Sequence, residues 1–266
     1  MTRNSRWRDI RHKYLRDGRA TRIFLLESTY EVLKLWRLPS FVIPTILFPV
    51  IFYVLFGLVL SSTFHTTESL AKLMVADFGA LGVMATSMFG FGVRVSVERG
   101  QGWLELKRVS PAPIFIYFAS KLVASVTFSA TVILIILVLG NTFGGAHLGG
   151  EQVSLLGAVL LLGCIPFSAL GLAIGCFAEA SAAPAVVNAI LWPLAFLSGM
   201  WIPLEMLPRS LQRFAPFLPA FHFSRLAGRS VGATESEPAW FHLLILGVFT
   251  LCFLAIAAIG FRRDER

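Results

Sequence analysis

The sequence predicts an all-α integral membrane protein. It should have six transmembrane helices, an amphipathic N-terminal interfacial helix, a short cytoplasmic helix between the second and third spans, and short half-buried outer helices before the last span. Three observations carry this prediction. Of 266 residues, 56% are hydrophobic and only 14% are charged, where soluble domains carry about 25% charged residues. The apolar residues fall in long runs, and about 20 of them in succession cross the hydrocarbon core. The basic residues gather at the ends of those runs, mostly on one side of the resulting topology. A net charge of +8 would suit nucleic acid if it lay on a soluble face. Placed at span ends, it is the asymmetry of a membrane protein, and nucleic-acid binding is excluded.

Residues 1–38 hold ten of the 23 Lys and Arg and form a cytoplasmic segment. Its first half reads as a basic tail. From Ala20 to Trp36 the pattern changes: Ile23, Leu26, Tyr30, Leu33 and Trp36 recur at three- and four-residue steps, with Glu27, Glu31 and Lys34 between them. That is an amphipathic helix lying in the membrane interface. The first apolar run starts near residue 39, too far in for a cleavable signal peptide, so the first span should remain as an anchor.

Residues 39–261 are expected to form a single six-span domain. The first span runs uncharged from Pro39 to Leu60; Pro39 suits a helix start, and Pro44 and Pro49 should bend the helix. The second covers Leu70 to Val93, with Glu68 and Lys72 spaced to pair at its outer end. Asp77 lies about a turn and a half further in, where a structural hydrogen bond is its simplest role. The third span runs from Phe115 to Gly140 and the fourth from Gln152 to Phe177, whose Gly163, Gly171 and Gly175 should let helix backbones approach closely. A tight turn at Ala178–Ser181 leads to a fifth span, Ala182 to Ile202, in which Asn188 is expected to bond to a neighbouring helix. Residues 203–238 are broken by Pro203, Pro208, Pro216 and Pro219 yet rich in Phe and Leu. They read as re-entrant outer helices, over about 203–236, half sunk in the leaflet and tolerated only where protein or water satisfies their backbone. The sixth span, Ala239 to Phe261, ends in a short cytoplasmic tail, 262–266.

In this arrangement 18 of the 23 Lys and Arg lie on one side, which places both termini in the cytoplasm. On the same side lies a polar island, Arg94 to Lys121. Glu98, Arg99, Glu105, Lys107 and Arg108 surround Gly100 and Gly102, with Trp103, Leu104, Leu106 and Val109 interleaved. Ser110-Pro111-Ala112-Pro113 stops any helix. Between Gln101 and Val109 about two helical turns fit, with Trp103 and Leu106 on one side. Such a helix has a purpose if something outside the membrane grips it; a charged loop resting on headgroups is the other reading of the composition.

No enzymatic constellation appears. The five histidines are scattered, no H-E-x-x-H or G-x-S-x-G occurs, and no lysine precedes Ser or Thr as a P-loop requires. No catalytic residue, metal site or cofactor of its own is expected. Cys164, Cys176 and Cys252 lie in apolar stretches and read as small buried residues. Ion-coupled transport would need ionisable groups inside the membrane, for which Asp77 is the main candidate.

Two motifs bring these features together. Glu98-x-Gly100, Glu105-Leu106, Pro111 and Lys121 lie between spans two and three, and Ser198-Gly199…Pro203…Pro208 follows span five. With the topology, they resemble the permease subunit of type-2 ABC exporters over nearly the whole chain. The resemblance implies a soluble ABC ATPase partner, which would bind ATP and Mg, and a second permease copy, most simply a homodimer in the lipid bilayer. It implies that Glu98 to Ser110 is the coupling helix, with Glu98, Arg99, Gly100, Trp103, Leu106, Lys107 and Arg108 in the contact. Trp103 and Leu106 would be the anchors and Arg99, Lys107 and Arg108 the rim. It further implies a cavity between copies, lined from spans two and five, with Phe78, Met84, Met88, Asn188 and Trp192 as candidates. The expected cargo is amphiphilic, a drug-like compound or lipid, exported across a prokaryotic cell (inner) membrane. A lipid-linked polysaccharide is the alternative cargo. An ion-coupled carrier or channel without an ATPase is the alternative from another class.

Overall fold

In the computed structural model the structure is described for residues 19–60, 67–104, 106, 113–202, 204–234 and 237–263, and within these it is helical with no strand. Helix α1, Arg19–Trp36, lies along α4, Ile114–Thr142. Helix α2 is Pro39–Val59. Two π-helical stretches, Ile43–Leu47 and Tyr53–Leu60, interrupt its regular winding. The first contains Pro44 and the second begins four residues after Pro49, consistent with prolines that withhold their backbone donors.

The centre of the molecule is α3, Glu68–Gly100. Thr67 caps its start, the Oγ1 accepting from the Leu70 amide, and Glu68 and Lys72 pair at 2.7 Å as their spacing predicts. Every residue from Val75 to Gly92 is buried, by α2, α4 and the later helices. This corrects one boundary. The island does not begin a new helix at Glu98, because α3 continues through a π-helical stretch, Phe89–Val93, and on to Gly100. The break falls at Gly102, whose φ of 74° belongs to the left-handed region that glycine enters without steric cost.

Helix α5, Gly150–Phe177, packs directly on α3. A Cβ on Gly171 would stand 2.9 Å from the Met88 carbonyl oxygen, and one on Gly175 would stand 2.8 Å from that of Gly92. The small-residue step read from the sequence is therefore a backbone-to-backbone contact. Helix α6 is Ala183–Leu197. It begins beside Gly92, where Val187 meets that glycine, and leads to Trp201, which packs on Phe52 and Phe56. Among the described residues, five helices are long and apolar enough to cross a membrane, but α6 has only 15 residues. At 1.5 Å per residue it covers about 22 Å, short of a ~30 Å core, so α6 stands at the place of the expected fifth span as a shorter apolar helix.

Short turns at Leu204–Met206 and Ala215–Phe217 flank α7, Arg209–Phe214. Helix α8, Pro219–Ser230, then lies across the end of the bundle opposite Glu98 and buries most of its residues. Protein thus covers α8, whereas α7 buries no residue and Met206 and Phe217 in the flanking turns are exposed. Helix α9, Ala239–Arg263, returns along α5. Cys164 and Cys176 are buried, whereas Cys252 is exposed on α9, contrary to the expectation for all three.

Candidate functional site: an ion-paired clamp at one end of the bundle

The amphipathic pattern of α1 has an unexpected orientation. Leu26, Tyr30, Leu33 and Trp36 face outward, while Ser28, Glu31 and Leu35 turn toward the bundle. An outward apolar stripe suits a lipid interface. The inward charges then need partners, since a charge removed from water is costly unless paired and hydrogen-bonded.

They find them at the end of α3. The Glu98 carboxylate is 5% exposed. Its Oε1 accepts from Lys34 Nζ at 2.5 Å, and its Oε2 accepts from the Tyr117 hydroxyl at 2.5 Å. Lys121 Nζ lies 2.9 Å from Glu98 Oε2 and 2.6 Å from Glu31 Oε1, bridging the two acids. Arg94 adds a contact to Glu98 Oε1 at 3.6 Å. The Lys121 ammonium also sits 4.8 Å from the Tyr117 ring centroid, a cation–π position. One carboxylate thereby fastens three elements together: α1 through Lys34, α3 through its own backbone, and α4 through Tyr117 and Lys121.

A second fastening lies one residue on. Arg99 donates through Nη1 to the Cys176 carbonyl and through Nη2 to the Ala178 carbonyl at 2.8 Å, and Ser96 Oγ donates to the same Ala178 oxygen at 2.6 Å. These are carbonyls at the end of α5, where a helix leaves acceptors unpaired and favours positive charge. The end of α3 thus closes the end of α5 as well as gripping α1 and α4.

Beyond this clamp the chain turns outward. Leu104 is buried, but Trp103 is 54% and Leu106 63% exposed. The sequence placed Glu98, Arg99, Gly100, Trp103, Leu106, Lys107 and Arg108 in one contact. The structure separates Glu98 and Arg99, whose side chains are turned into the bundle, from Trp103 and Leu106, which project from it. Lys107, Arg108 and the rest of the island to Ala112 lie outside the described residues, as does Glu105. Lys34, Tyr117 and Glu31 were not singled out by sequence reasoning. The one available signal was that α1 places its acids and lysine on the face opposite its apolar stripe.

The candidate cavity residues divide likewise. Phe78, Met84 and Met88 are fully buried in the protomer's own core, so in this conformation they line no open surface; helix hydropathy cannot separate a core face from a cavity face. Asn188 and Trp192 are half-buried on α6 and bond to each other, Trp192 Nε1 donating to Asn188 Oδ1 at 3.0 Å. The Asn188 bond is therefore within its own helix rather than between helices. Trp192 joins Phe52 and Trp201 in an aromatic group between α2 and α6, with ring centroids 4.7–5.7 Å apart. Asp77 is buried and accepts from Ser224 Oγ at 2.5 Å, the structural bond expected of it.

Fold and site together define a multi-pass helical membrane protein in which the N-terminal helix α1 is ion-paired to the ends of two long spans. Comparison with known proteins refines this. Residues 24–227 match the family model described as ABC-2 type transporter, and the chain belongs to that family. It is also 27% identical over 239 residues to the "Putative transport permease YvfS" of Bacillus subtilis (strain 168), covering 90% of this chain and 97% of that protein. The chain is accordingly the membrane-spanning permease subunit of an ABC transporter, and membership implies a partner ATPase subunit.

Proposed function

We propose that this permease exports an amphiphilic cargo, drug-like or lipid, and that the ATPase grips it at Trp103 and Leu106. The observation that carries this reading is the juxtaposition of an exposed pair with a rigid base: two apolar side chains project immediately after a buried four-element clamp. Binding energy at protein interfaces concentrates in a few aromatic and apolar anchors. An anchor on a loose loop would absorb a push, whereas this one is tied to α1, α3, α4 and α5. Glu98 and Arg99 act from within, holding that base rigid, instead of touching the partner. Lys107 and Arg108 are assigned to the rim of the contact.

The asymmetry of basic residues supports a topology with both termini and the clamp in the cytoplasm, in the inner membrane of a prokaryotic cell. ATP and Mg bind the partner chain. Two copies of the permease assemble with the cargo path between them. On that path the aromatic group of Phe52, Trp192 and Trp201, with Asn188, is a better lining than the buried Phe78, Met84 and Met88. Aromatic faces accommodate varied apolar ligands.

Co-purification with the partner ATPase tests the reading. Wild type should form a stable complex with ATP-dependent transport in inverted vesicles, and Trp103→Ala should lose both while still folding. Full assembly and transport by Trp103→Ala combined with Leu106→Ala would overturn the assignment.

A further inference from the structure

At the end of the bundle opposite the clamp, α8 meets the start of α9 through two histidines. His222 is 2% exposed and His242 is wholly buried. Their Nδ1 atoms face each other at 3.0 Å, a hydrogen bond in which one must donate and the other accept. The remaining partners decide which. His222 Nε2 lies 2.9 Å from the Pro216 carbonyl, an acceptor only, so Nε2 carries a proton. In neutral His222 the Nδ1 is then a bare acceptor, and His242 Nδ1–H must be the donor. His242 Nε2 is buried without a hydrogen-bond partner, but the Glu237 carboxylate stands 3.8 Å away. Neutral His242 would present a lone pair to that carboxylate; protonated His242 would present an N–H.

The arrangement therefore accepts one proton beyond the neutral pair with every hydrogen bond kept. A second proton has only His222 Nδ1 to occupy, which would set two N–H groups against each other at 3.0 Å. We propose that His222 and His242 form a proton-operated clasp between α8 and α9, shut while the pair is neutral or carries a single extra proton on His242 and opened by a second proton on His222. The surroundings favour this. Phe221 and Phe241 pack against the His222 ring, with centroids 5.3 and 6.0 Å away, so water cannot readily replace the lost bond. The charged groups facing the pair are Glu237 ahead of α9 and, on α8 itself, Arg225 and Arg229. Those arginines oppose a second positive charge. Asp77 meets α8 on its other side, through Ser224.

Burial holds the His222 imidazole below its ordinary value, against the opposing pull of the Pro216 carbonyl and Glu237. A group whose closed-state value is depressed binds fewer protons closed than open. The clasp is thus at full strength above the ordinary histidine value of about 6.5 and weakens as pH falls from there through the closed-state value of His222. One proton taken up on opening gives at most about tenfold in the open population per pH unit. Under the orientation proposed above, the stimulus is acid on the outer face. What opens is α8, which covers that end of the bundle.

The test uses the full-length permease in lipid nanodiscs, with one pH on both faces, so its outcome does not depend on orientation, cargo or ATPase. Hydrogen exchange of residues 219–230, corrected for intrinsic rates, is compared at pH 7.5, 6.5 and 5.5. Wild type should exchange about tenfold faster at pH 5.5 than at pH 7.5, and His222→Gln and His242→Gln should lose that dependence. Should either variant fail to fold, ¹⁵N-histidine NMR of wild type gives the answer alone. His222 should titrate only below the ordinary value, in step with the loss of protection in α8. Exchange independent of pH in wild type, equal pH dependence in the variants, or ordinary titration of His222 would each overturn the clasp.

Discussion

Removing the Glu98 carboxylate is the sharpest perturbation of the clamp. In Glu98→Ala, Lys121 keeps only Glu31, and its side chain is 1% exposed. Tyr117 and Arg94 also lose their acceptor. Taking away one member of a buried ion pair typically costs about 3–5 kcal/mol, because the other charge is left unpaired. The Lys34 side chain is 46% exposed and recovers water, so its share is at most about 1 kcal/mol. The retained Glu31 contact brings the expected total toward the lower end, about 3 kcal/mol. For chains near this size each kcal/mol moves the midpoint by roughly 2–4 °C, giving a fall of roughly 6–12 °C. Thermal unfolding in nanodiscs measures it, with Lys121→Met and the double variant completing a cycle. The double variant should lose less than the sum of the two singles, by about 1–3 kcal/mol. A change below about 1 kcal/mol in Glu98→Ala, or strict additivity, would refute the claim that Glu98 and Lys121 hold one another in a dry site.

Further outcomes follow from other contacts. Gly175→Ala would put a methyl 2.8 Å from the Gly92 carbonyl oxygen and should cost about 1–3 kcal/mol by overpacking, read as a lower unfolding midpoint, whereas Gly157→Ala meets nothing within 4 Å and should be neutral. Arg99→Gln uncovers the carbonyls at the end of α5 and should speed amide exchange around Ala178, at a cost of about 1–2 kcal/mol. Trp103→Ala should leave the unfolding midpoint within about 0.5 kcal/mol of wild type while weakening ATPase binding by about 2 kcal/mol or more, roughly thirtyfold in Kd. Lowering the pH from 7.5 to 5.5 should loosen α8 in wild type but not in His222→Gln, as hydrogen exchange reports.

Hydropathy made the long spans legible because membrane length and apolar composition are local properties. The same holds for the Glu68–Lys72 pair, the glycine contacts of α5 and the proline-broken stretch over the bundle end. What local pattern could not show was pairing at a distance. Glu98 reads as one surface charge of a polar island, yet its partners Lys34 and Lys121 are far off in sequence and on other helices. Glu98 and Lys121 are buried together, so this carboxylate fastens helices to one another inside the bundle. For the same reason Phe78 and Met88 looked like cavity residues: an apolar side chain on a span says nothing about whether it faces a ligand or a neighbouring helix. The shortness of α6 arises where Ser198-Gly199 ends the helix, with Gly199 at φ 84°, and only the backbone path reveals it.

The central claim is that the exposed pair beyond the clamp is where the ATPase holds this permease. A photoreactive amino acid at position 106 in the reconstituted, transport-competent complex tests it most directly. The account predicts a cross-link from that position to the ATPase, changing in yield between ATP-bound and nucleotide-free states. Labelling of lipid alone in a complex that still transports would contradict it.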